Sequence, residues 1–118
     1  MNYKNNVEIT GIVTGTPDLR KIGTRYKCAF TVLTKYAYHK NGEAVIEDTY
    51  HRVHVWESST ISEITLRKVA AGSKVHVTGR HRTLEHLQGE KRTREEIVQA
   101  SKFTVIRQSE PLLCDTQL

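Results

Sequence analysis

Short runs of alternating apolar and polar residues, separated by glycine and turn residues, are the feature that most limits how this chain can fold. In Asn6–Val13, Val7 and Ile9 alternate with polar neighbours, and the same alternation recurs in Lys74–Arg82. Side chains of a β-strand alternate between the two faces of its sheet, so a period of two indicates strands with one buried face. The chain is therefore predicted to be mainly β.

Six segments have this pattern and are predicted as strands: Asn6–Val13, Tyr26–Tyr38, Glu47–Trp56, Lys74–Arg82, Arg92–Val98 and Lys102–Ile106. Turn residues lie between several of them, at Thr16–Asp18, Asn41–Gly42 and Gln88–Gly89. Two glycines inside the runs, Gly11 and Gly79, are expected to allow the sharp bends of a small barrel.

One segment, Ser59–Ala71, has helical spacing and lies between the third and fourth strands. Thr60 and Glu63 have the spacing of a capping box, and Gly72 is placed to end the helix. The buried stripe is predicted to comprise Ile61, Ile64 and Val69. Three strands, a short helix and further strands is the order of the OB-fold, a five-stranded Greek-key barrel. We expect one such all-β domain over residues 1–108 and a frayed tail over 109–118.

Composition limits the partners of such a domain. The chain has 118 residues with 18 Lys and Arg against 13 Asp and Glu, a net charge of +5 that favours polyanionic partners. It has no apolar run long enough for a membrane span and no signal peptide pattern, so a cytoplasmic protein is expected. Charge alone leaves nucleic acid and an anionic membrane surface both open, and no membrane partner is expected once the motifs below are considered. Cys28 and Cys114 lie too far apart in sequence for a metal knuckle and are expected to be reduced thiols.

The alternation also predicts which side chains face outward. Val53 and Val55 are expected to face the core, so the outward residues of the third strand are Tyr50, Arg52, His54 and Trp56. Those of the fourth strand are His76, Thr78, Arg80 and Arg82, and the end of the second strand is expected to add Lys35, Tyr36 and Tyr38. Cations contact phosphates and aromatic rings stack on unpaired bases, so this face is typical of single-stranded nucleic acid binding. Outward aromatics also form cross-strand pairs or subunit contacts, and exposed arginines are often only solvated.

Several motifs in order then resemble one family. They are Asn6–Val13 followed by Thr16–Arg20, then Phe30–Thr34, Asp48–Trp56 and Ala71–Arg80 with Arg82–Thr83. The third of these, an aromatic followed by His-Arg-Val and a further aromatic, is the most specific. From Asn6 to Val98 the chain resembles the bacterial single-stranded DNA-binding protein family.

The resemblance implies roles for individual residues. Tyr38 and Tyr50 stand where the family commonly has Trp, Trp56 where it has Phe, and His86 where it has a third Trp. His51 matches a histidine at a subunit contact, which implies a homotetramer or a dimer. The best candidates for phosphate contacts are Arg20, Lys35, Arg52, Arg80 and Arg82.

The function implied by the resemblance is sequence-nonspecific binding and protection of single-stranded DNA in replication, recombination or repair, with nucleoid association. No cofactor, metal, small-molecule substrate or catalysis is expected. Family members usually carry a long tail with an acidic tip that recruits other proteins. This sequence stops at Cys114–Leu118 with one acidic residue there, so recruitment through such a tail is not expected.

Other functions stay open at this point. A primosomal-type OB module would use the same fold mainly to contact replication proteins, with weak DNA binding. An RNA-binding OB module would use the same stacking and phosphate contacts. An enzyme is disfavoured because the six histidines lack both metal-ligand spacing and an acid partner for general acid–base chemistry.

Overall fold

The computed structural model describes residues 3–108, which form a closed five-stranded barrel with one short helix. The elements are β1 (Val7–Ile22), β2 (Arg25–Lys40), β3 (Glu43–Trp56), α1 (Glu63–Arg67), β4 (Lys74–Gln88) and β5 (Lys91–Arg107). The strand order around the barrel is β1-β2-β3-β5-β4, with α1 between β3 and β4 in sequence. The predicted OB-fold is confirmed, whereas the predicted tail 109–118 lies outside the described residues.

The strands are longer than predicted. Thr16–Asp18 is not a turn but part of β1, where the register with β2 shifts between Thr14 and Asp18. Gly15 has φ +73° at this shift, a conformation that glycine adopts without the steric cost of a Cβ. β1 pairs with β4 over its first half and with β2 over its second, so this irregularity carries one strand around the barrel.

The prediction of two separate strands after residue 91 is wrong, because Lys91–Arg107 is one strand. Its ladder with β4 continues across a bulge between Thr78 and Gly79. A Cβ on Gly79 would overlap the carbonyl oxygen of Gln99, and one on Gly11 would overlap that of Leu33. Gly79 therefore lies at an irregularity as expected, but both glycines are required for close backbone approach rather than for a special φ.

The helix is shorter than predicted and begins elsewhere. Its N-cap is Ser62 rather than Thr60, and the Ser62 hydroxyl accepts a hydrogen bond of 3.2 Å from the Thr65 N–H. The N–H groups of Thr60 and Ile61 instead donate to the Ser58 hydroxyl, which forms a turn before the helix. This competing side-chain bond delays the helix start.

The end and the buried stripe of the helix also differ from the prediction. The chain leaves the helix after Arg67, and Gly72 lies in the following turn with φ +92°. Leu66 is buried, whereas Ile64 is 69% exposed. Ile61 and Val69 are buried as predicted, but they lie outside the five-residue helix, which turns only Leu66 fully toward the barrel. No helix of the described residues is long and apolar enough to cross a membrane.

The core fills the barrel and is closed at one end by the helix. The predicted inward residues of β3 and β4, Val53, Val55, Val75 and Val77, are all fully buried. The Phe30 and Phe103 rings pack with centroids 5.6 Å apart. The core comprises Ile9, Val13, Cys28, Phe30, Val32, Val53, Val55, Ile61, Leu66, Val69, Val75, Val77, Val98 and Phe103. Burial of each large side chain is worth roughly 1.5–3 kcal/mol, so the alternation seen in the sequence carries the stability of the fold.

Two long hairpins and one short seam complete the barrel. The β2–β3 hairpin turns at Asn41–Gly42, with φ values of 54° and 80°, which confirms the hairpin turn predicted there. β4 and β5 are joined next to Gly89. Within residues 3–108, β3 meets β5 through only two parallel residue pairs, Val53–Val98 and His54–Gln99. This seam closes the barrel and lies beside the site described next.

Candidate nucleic-acid interface

A groove of about 250 Å³ lies on the outside of the barrel, and four of the five strands contribute to it. We call it the outer groove; its lining residues are Asp18, Arg20, Ile22, Lys27, Ala29, Arg52, His54 and Glu95. Arg52 and His54 alternate with Val53 and Val55, which are buried in the core. The groove is therefore on the face that the alternation assigned to outward residues.

The β2–β3 register sets the groove's floor. Ala29 lies opposite His54 and Lys27 lies opposite Trp56. Directly opposed residues of an antiparallel pair share a face, so these side chains lie side by side. The small side chain of Ala29 leaves room above the sheet, and the bulkier neighbours form the groove's walls.

Trp56 is half-buried and lies next to the groove residue Lys27, and two cations of β2 lie near its ring. The guanidinium carbon of Arg25 is 5.1 Å from the ring centre and the Lys27 Nζ is 5.6 Å from it. Arg25 is held in place because it donates two hydrogen bonds, of 3.0 and 2.8 Å, to the Glu57 carbonyl oxygen. An aromatic ring beside fixed cations is suited to stack on a base while the cations contact the adjoining phosphates.

Sequence reasoning missed Arg25 and Lys27. A signal for both was present, because they alternate with the core residue Cys28 and with Tyr26 and so fall on the same face of β2 as Ala29. The outward residues predicted for this strand, Lys35, Tyr36 and Tyr38, lie at its other end, near the hairpin turn. The structure shows that the beginning of β2 is the part that lines the groove.

Two of the predicted phosphate ligands carry acidic partners. The Arg20 Nε donates to both carboxylate oxygens of Asp18 at 3.0 Å, and the Lys35 Nζ lies 3.0 Å from an Asp48 oxygen. All four side chains are substantially exposed. Exposed ion pairs contribute about 0–1 kcal/mol, so a phosphate can displace these carboxylates at little cost. Arg52 is half-buried and has only a long 3.4 Å contact with the Thr31 hydroxyl.

His54 differs from its prediction as an exposed residue. It lies on the outer face as expected, but it is only 6% exposed because neighbouring strands flank it on both sides. Burial lowers the pKa of the His54 ring, and the nearby Lys27, Arg52 and Arg82 lower it further, while Glu95 acts in the opposite direction. The ring is therefore neutral at pH 7.

The β4 residues lie at different distances from the groove. Arg82 donates to the side-chain oxygen of Gln99, the residue paired with His54 across the seam. The His86 ring is 3.5 Å from a carboxylate oxygen of Glu95, which lines the groove. Arg80 is exposed but faces a separate hollow, lined by Asn5, Asn6, Gly79, Arg80, Gln99, Ala100 and Ser101. The structure thus brings Arg82 and His86 to the groove and leaves Arg80 beside it.

The hairpin aromatics do not share one face. Tyr50 is 62% exposed and lies on the same side of β3 as Arg52. Tyr36 and Tyr38 alternate with Lys35, so they lie on the other face of the β2–β3 ribbon, where their ring centres are 5.7 Å apart. The prediction that these two tyrosines share the outward side with Lys35 is wrong, because β2 keeps one register throughout and its odd and even positions lie on opposite faces.

His51 lies on the inward side of β3, as its position in the alternation predicted. Its Nε2 is 2.9 Å from the Thr34 hydroxyl, and its pKa is lowered by burial and by the nearby His81. That His51 lies at a contact between subunits stays a prediction.

Comparison with known proteins identifies the family of this chain. The model of the single-strand binding protein family matches residues 4–105. The chain belongs to this family. The resemblance seen in the sequence motifs is thereby confirmed.

Solved structures share the fold of this single-strand binding protein domain. One is described as "Plasmodium falciparum SSB complex with ssDNA": it has a TM-score of 0.72 and 20% identity, with 91% of this chain and 98% of that chain covered. A second is a deletion mutant of the single-stranded DNA binding protein from Thermus aquaticus, with a TM-score of 0.71 and 18% identity; 88% of this chain and 51% of that chain are covered. No curated protein matches the chain in sequence.

The residues in and around the groove do not form a metal site. Among residues 3–108, no three His, Cys, Asp or Glu side chains are grouped so that they could hold a metal ion. Cys28 is fully buried in the core, and burial raises the pKa of its thiol to about 11, so it is a poor nucleophile. The chemistry that the groove offers is non-covalent binding of an anionic, partly aromatic ligand.

Proposed function

We propose that this single-strand binding protein binds single-stranded DNA without regard to sequence, along the outer groove and without catalysis. The observation that carries the proposal is that Trp56 lies beside the groove residue Lys27, and that three strands of the groove carry the cations Arg20, Lys27 and Arg52. Cations contact phosphates of any sequence, and every base has a flat face that can stack on the ring. Such a site recognises a strand and not a sequence.

The groove favours single strands over duplex DNA. Trp56 is half-buried, so its remaining open surface is available only to a base that is itself unstacked. Duplex DNA keeps its base faces inside the stack and could use only the cations. The similarity in fold to the Plasmodium protein solved with single-stranded DNA supports this proposal.

The cellular roles that fit this binding are protection of single strands during replication, recombination or repair, with association to the nucleoid. Assembly into a dimer or tetramer belongs to the same proposal, because a domain of this size gains stability from association. Subunits brought together would also place several outer grooves along one strand.

The test is a titration with oligo(dT) at two salt concentrations, followed by the fluorescence of Trp56, the only tryptophan of the chain. We expect saturable quenching, weaker binding at the higher salt, and poor competition by duplex DNA. A single-stranded RNA competitor shows how far the groove distinguishes the two sugars. Absence of binding at low salt with a folded barrel contradicts the proposal and favours the interaction-module alternative, which a pull-down of replication proteins then examines.

A further inference from the structure

His54 occupies an unusual place for a histidine, on the floor of the outer groove. Ala29 of β2 lies opposite it on one side and Gln99 of β5 on the other. The residue is 6% exposed, yet it lines the groove itself. Its small exposed surface is therefore directed at whatever enters the groove.

The nitrogens of the ring are available to such a ligand. Among residues 3–108, His51 bonds to Thr34 and His76 bonds to Thr10, but the His54 ring has no hydrogen-bond partner. No fully buried side-chain nitrogen in this part of the chain lacks a partner. The His54 nitrogens must then retain contact with the open space of the groove. A polar group that faces a groove without an internal partner is suited to bind a ligand atom there.

Charged groups face His54 from all five strands. The acidic ones are Asp18 of β1, which is paired with Arg20, and Glu95 of β5, which is near His86. The cationic ones are Arg20 of β1, Lys27 of β2, Arg52 of β3 and Arg82 of β4. The cations outnumber the acids, so an additional positive charge on His54 is unfavourable in the empty groove. An entering phosphate places a negative charge beside the ring and so favours its protonated form.

We propose that His54 is a proton-linked phosphate ligand: its ring is neutral in the free protein and takes up a proton from solvent when a DNA phosphate enters the outer groove. The inference rests on the proposed function, since it requires single-stranded DNA in that groove. It assigns a binding role to a residue whose burial would otherwise mark it as structural. It also makes DNA affinity depend on pH.

The charges around His54 determine whether DNA affinity rises or falls with pH. In the free protein burial and three cations lower the pKa of His54, so the ring is uncharged at pH 7. A phosphate beside the ring favours the charged form and raises this pKa in the complex. Binding then takes up protons, and by linkage the affinity rises as pH falls. For one proton the limit is about tenfold per pH unit between the free and bound pKa values. Below the free pKa the dependence ends.

The test measures the dissociation constant of labelled oligo(dT) from pH 8 to pH 5.5 for the unmodified protein, His54→Gln and His76→Gln. His76 is the matched control because it lies on β4 away from the groove, with Thr10 and Glu8 as partners. We expect the affinity of the unmodified protein and of His76→Gln to rise several-fold over this range. The affinity of His54→Gln should stay nearly constant, because Gln donates a hydrogen bond but does not titrate.

Two further measurements use the unmodified protein, so they do not require the His54→Gln variant to fold. Calorimetry in two buffers of different ionisation enthalpy should show net proton uptake on binding. NMR titration of the His54 ring should give a higher pKa in the complex than in the free protein. An equal or lower pKa in the complex, or a pH dependence that persists in His54→Gln, overturns the inference. Failure of oligo(dT) to bind at any pH is a different result, because it contradicts the proposed function itself.

Discussion

Replacement of Trp56 by Ala is the change that tests the stacking surface most directly. The ring centre is 5.1 Å from the Arg25 guanidinium carbon and 5.6 Å from the Nζ of Lys27, a residue that lines the outer groove, and the side chain is half-buried. Loss of a stacked base costs roughly 1–3 kcal/mol. Arg25 and Lys27 remain in the variant, so any contact that they make with phosphates is retained and does not add to the loss. The expected loss of affinity is therefore about 5- to 150-fold.

The assay has to avoid the protein's own fluorescence, because Trp56→Ala removes the only tryptophan. Anisotropy of a dye-labelled oligo(dT) gives the dissociation constant for the original chain and each variant under the same conditions. Trp56→Phe keeps a ring and should lose less affinity than Trp56→Ala. Tyr3→Ala is the matched control, since Tyr3 is an aromatic residue that is 85% exposed and does not line the groove.

The free energy of unfolding in urea separates binding from folding. Trp56→Ala removes a half-buried side chain, so some loss of stability is expected without unfolding of the barrel. If a folded Trp56→Ala variant binds oligo(dT) within twofold of the original chain, Trp56 is not part of the surface that stacks on bases. The argument built on the two neighbouring cations then fails as well.

Four further changes are predicted from the same structure. Arg52→Gln should reduce the salt dependence of oligo(dT) binding by about one ion, measured as the slope of log affinity against log salt. Gly79→Ala should destabilise the barrel by at least about 1–3 kcal/mol in urea unfolding, since a Cβ overlaps the neighbouring strand's backbone. The pKa values of His51 and His54 are both lowered in the folded protein, so the stability they contribute is present above about pH 6.5 and is lost as the pH falls below it. The free energy of unfolding in urea, measured between pH 8 and pH 5, should therefore decrease toward pH 5. Cys28 should react with a thiol reagent at pH 8 only after unfolding, because the thiol is fully buried.

Much of the fold could be predicted from the alternation alone. Val53, Val55, Val75 and Val77 were assigned to the core from their period of two, and all four are fully buried. The exact bounds could not be predicted, because strands that extend beyond the core in hairpins have no buried face to mark them. β5 is predicted as two strands for another reason. Ser101 is the extra residue of a bulge, so the buried side changes from even to odd positions between Val98 and Phe103 although the pairing with β4 continues.

The site was predicted in part. The outward position of Arg52 and Trp56 follows from their alternation with core valines, and the outer groove contains or adjoins both. The burial of His54 could not be predicted, because it depends on β5 lying against β3, a contact between segments more than 40 residues apart. Arg80 keeps the outward side of β4 that the alternation predicts, because the extra residue of the bulge, Ser101, lies in β5. Its place beside a separate hollow depends on β5 and on the chain before β1, which could not be predicted.

The seam between β3 and β5 has a consequence for how the barrel opens. In the part of the chain described, β3 and β5 share only two residue pairs, so separating them breaks fewer hydrogen bonds than separating any other pair of neighbouring strands. Local opening of a protein begins where the fewest bonds must break. Amide hydrogens of β3 and β5 beside Val53 and Val98 should exchange with deuterium sooner than those deep in the β2–β3 ladder. The outer groove has Arg52 on one side of this seam and Glu95 on the other, so a strand bound there as proposed would contact both edges. Bound DNA would then hold β3 and β5 together. Slower deuterium exchange of the amide hydrogens at the seam would show that the groove is occupied, without any label on the protein or the DNA.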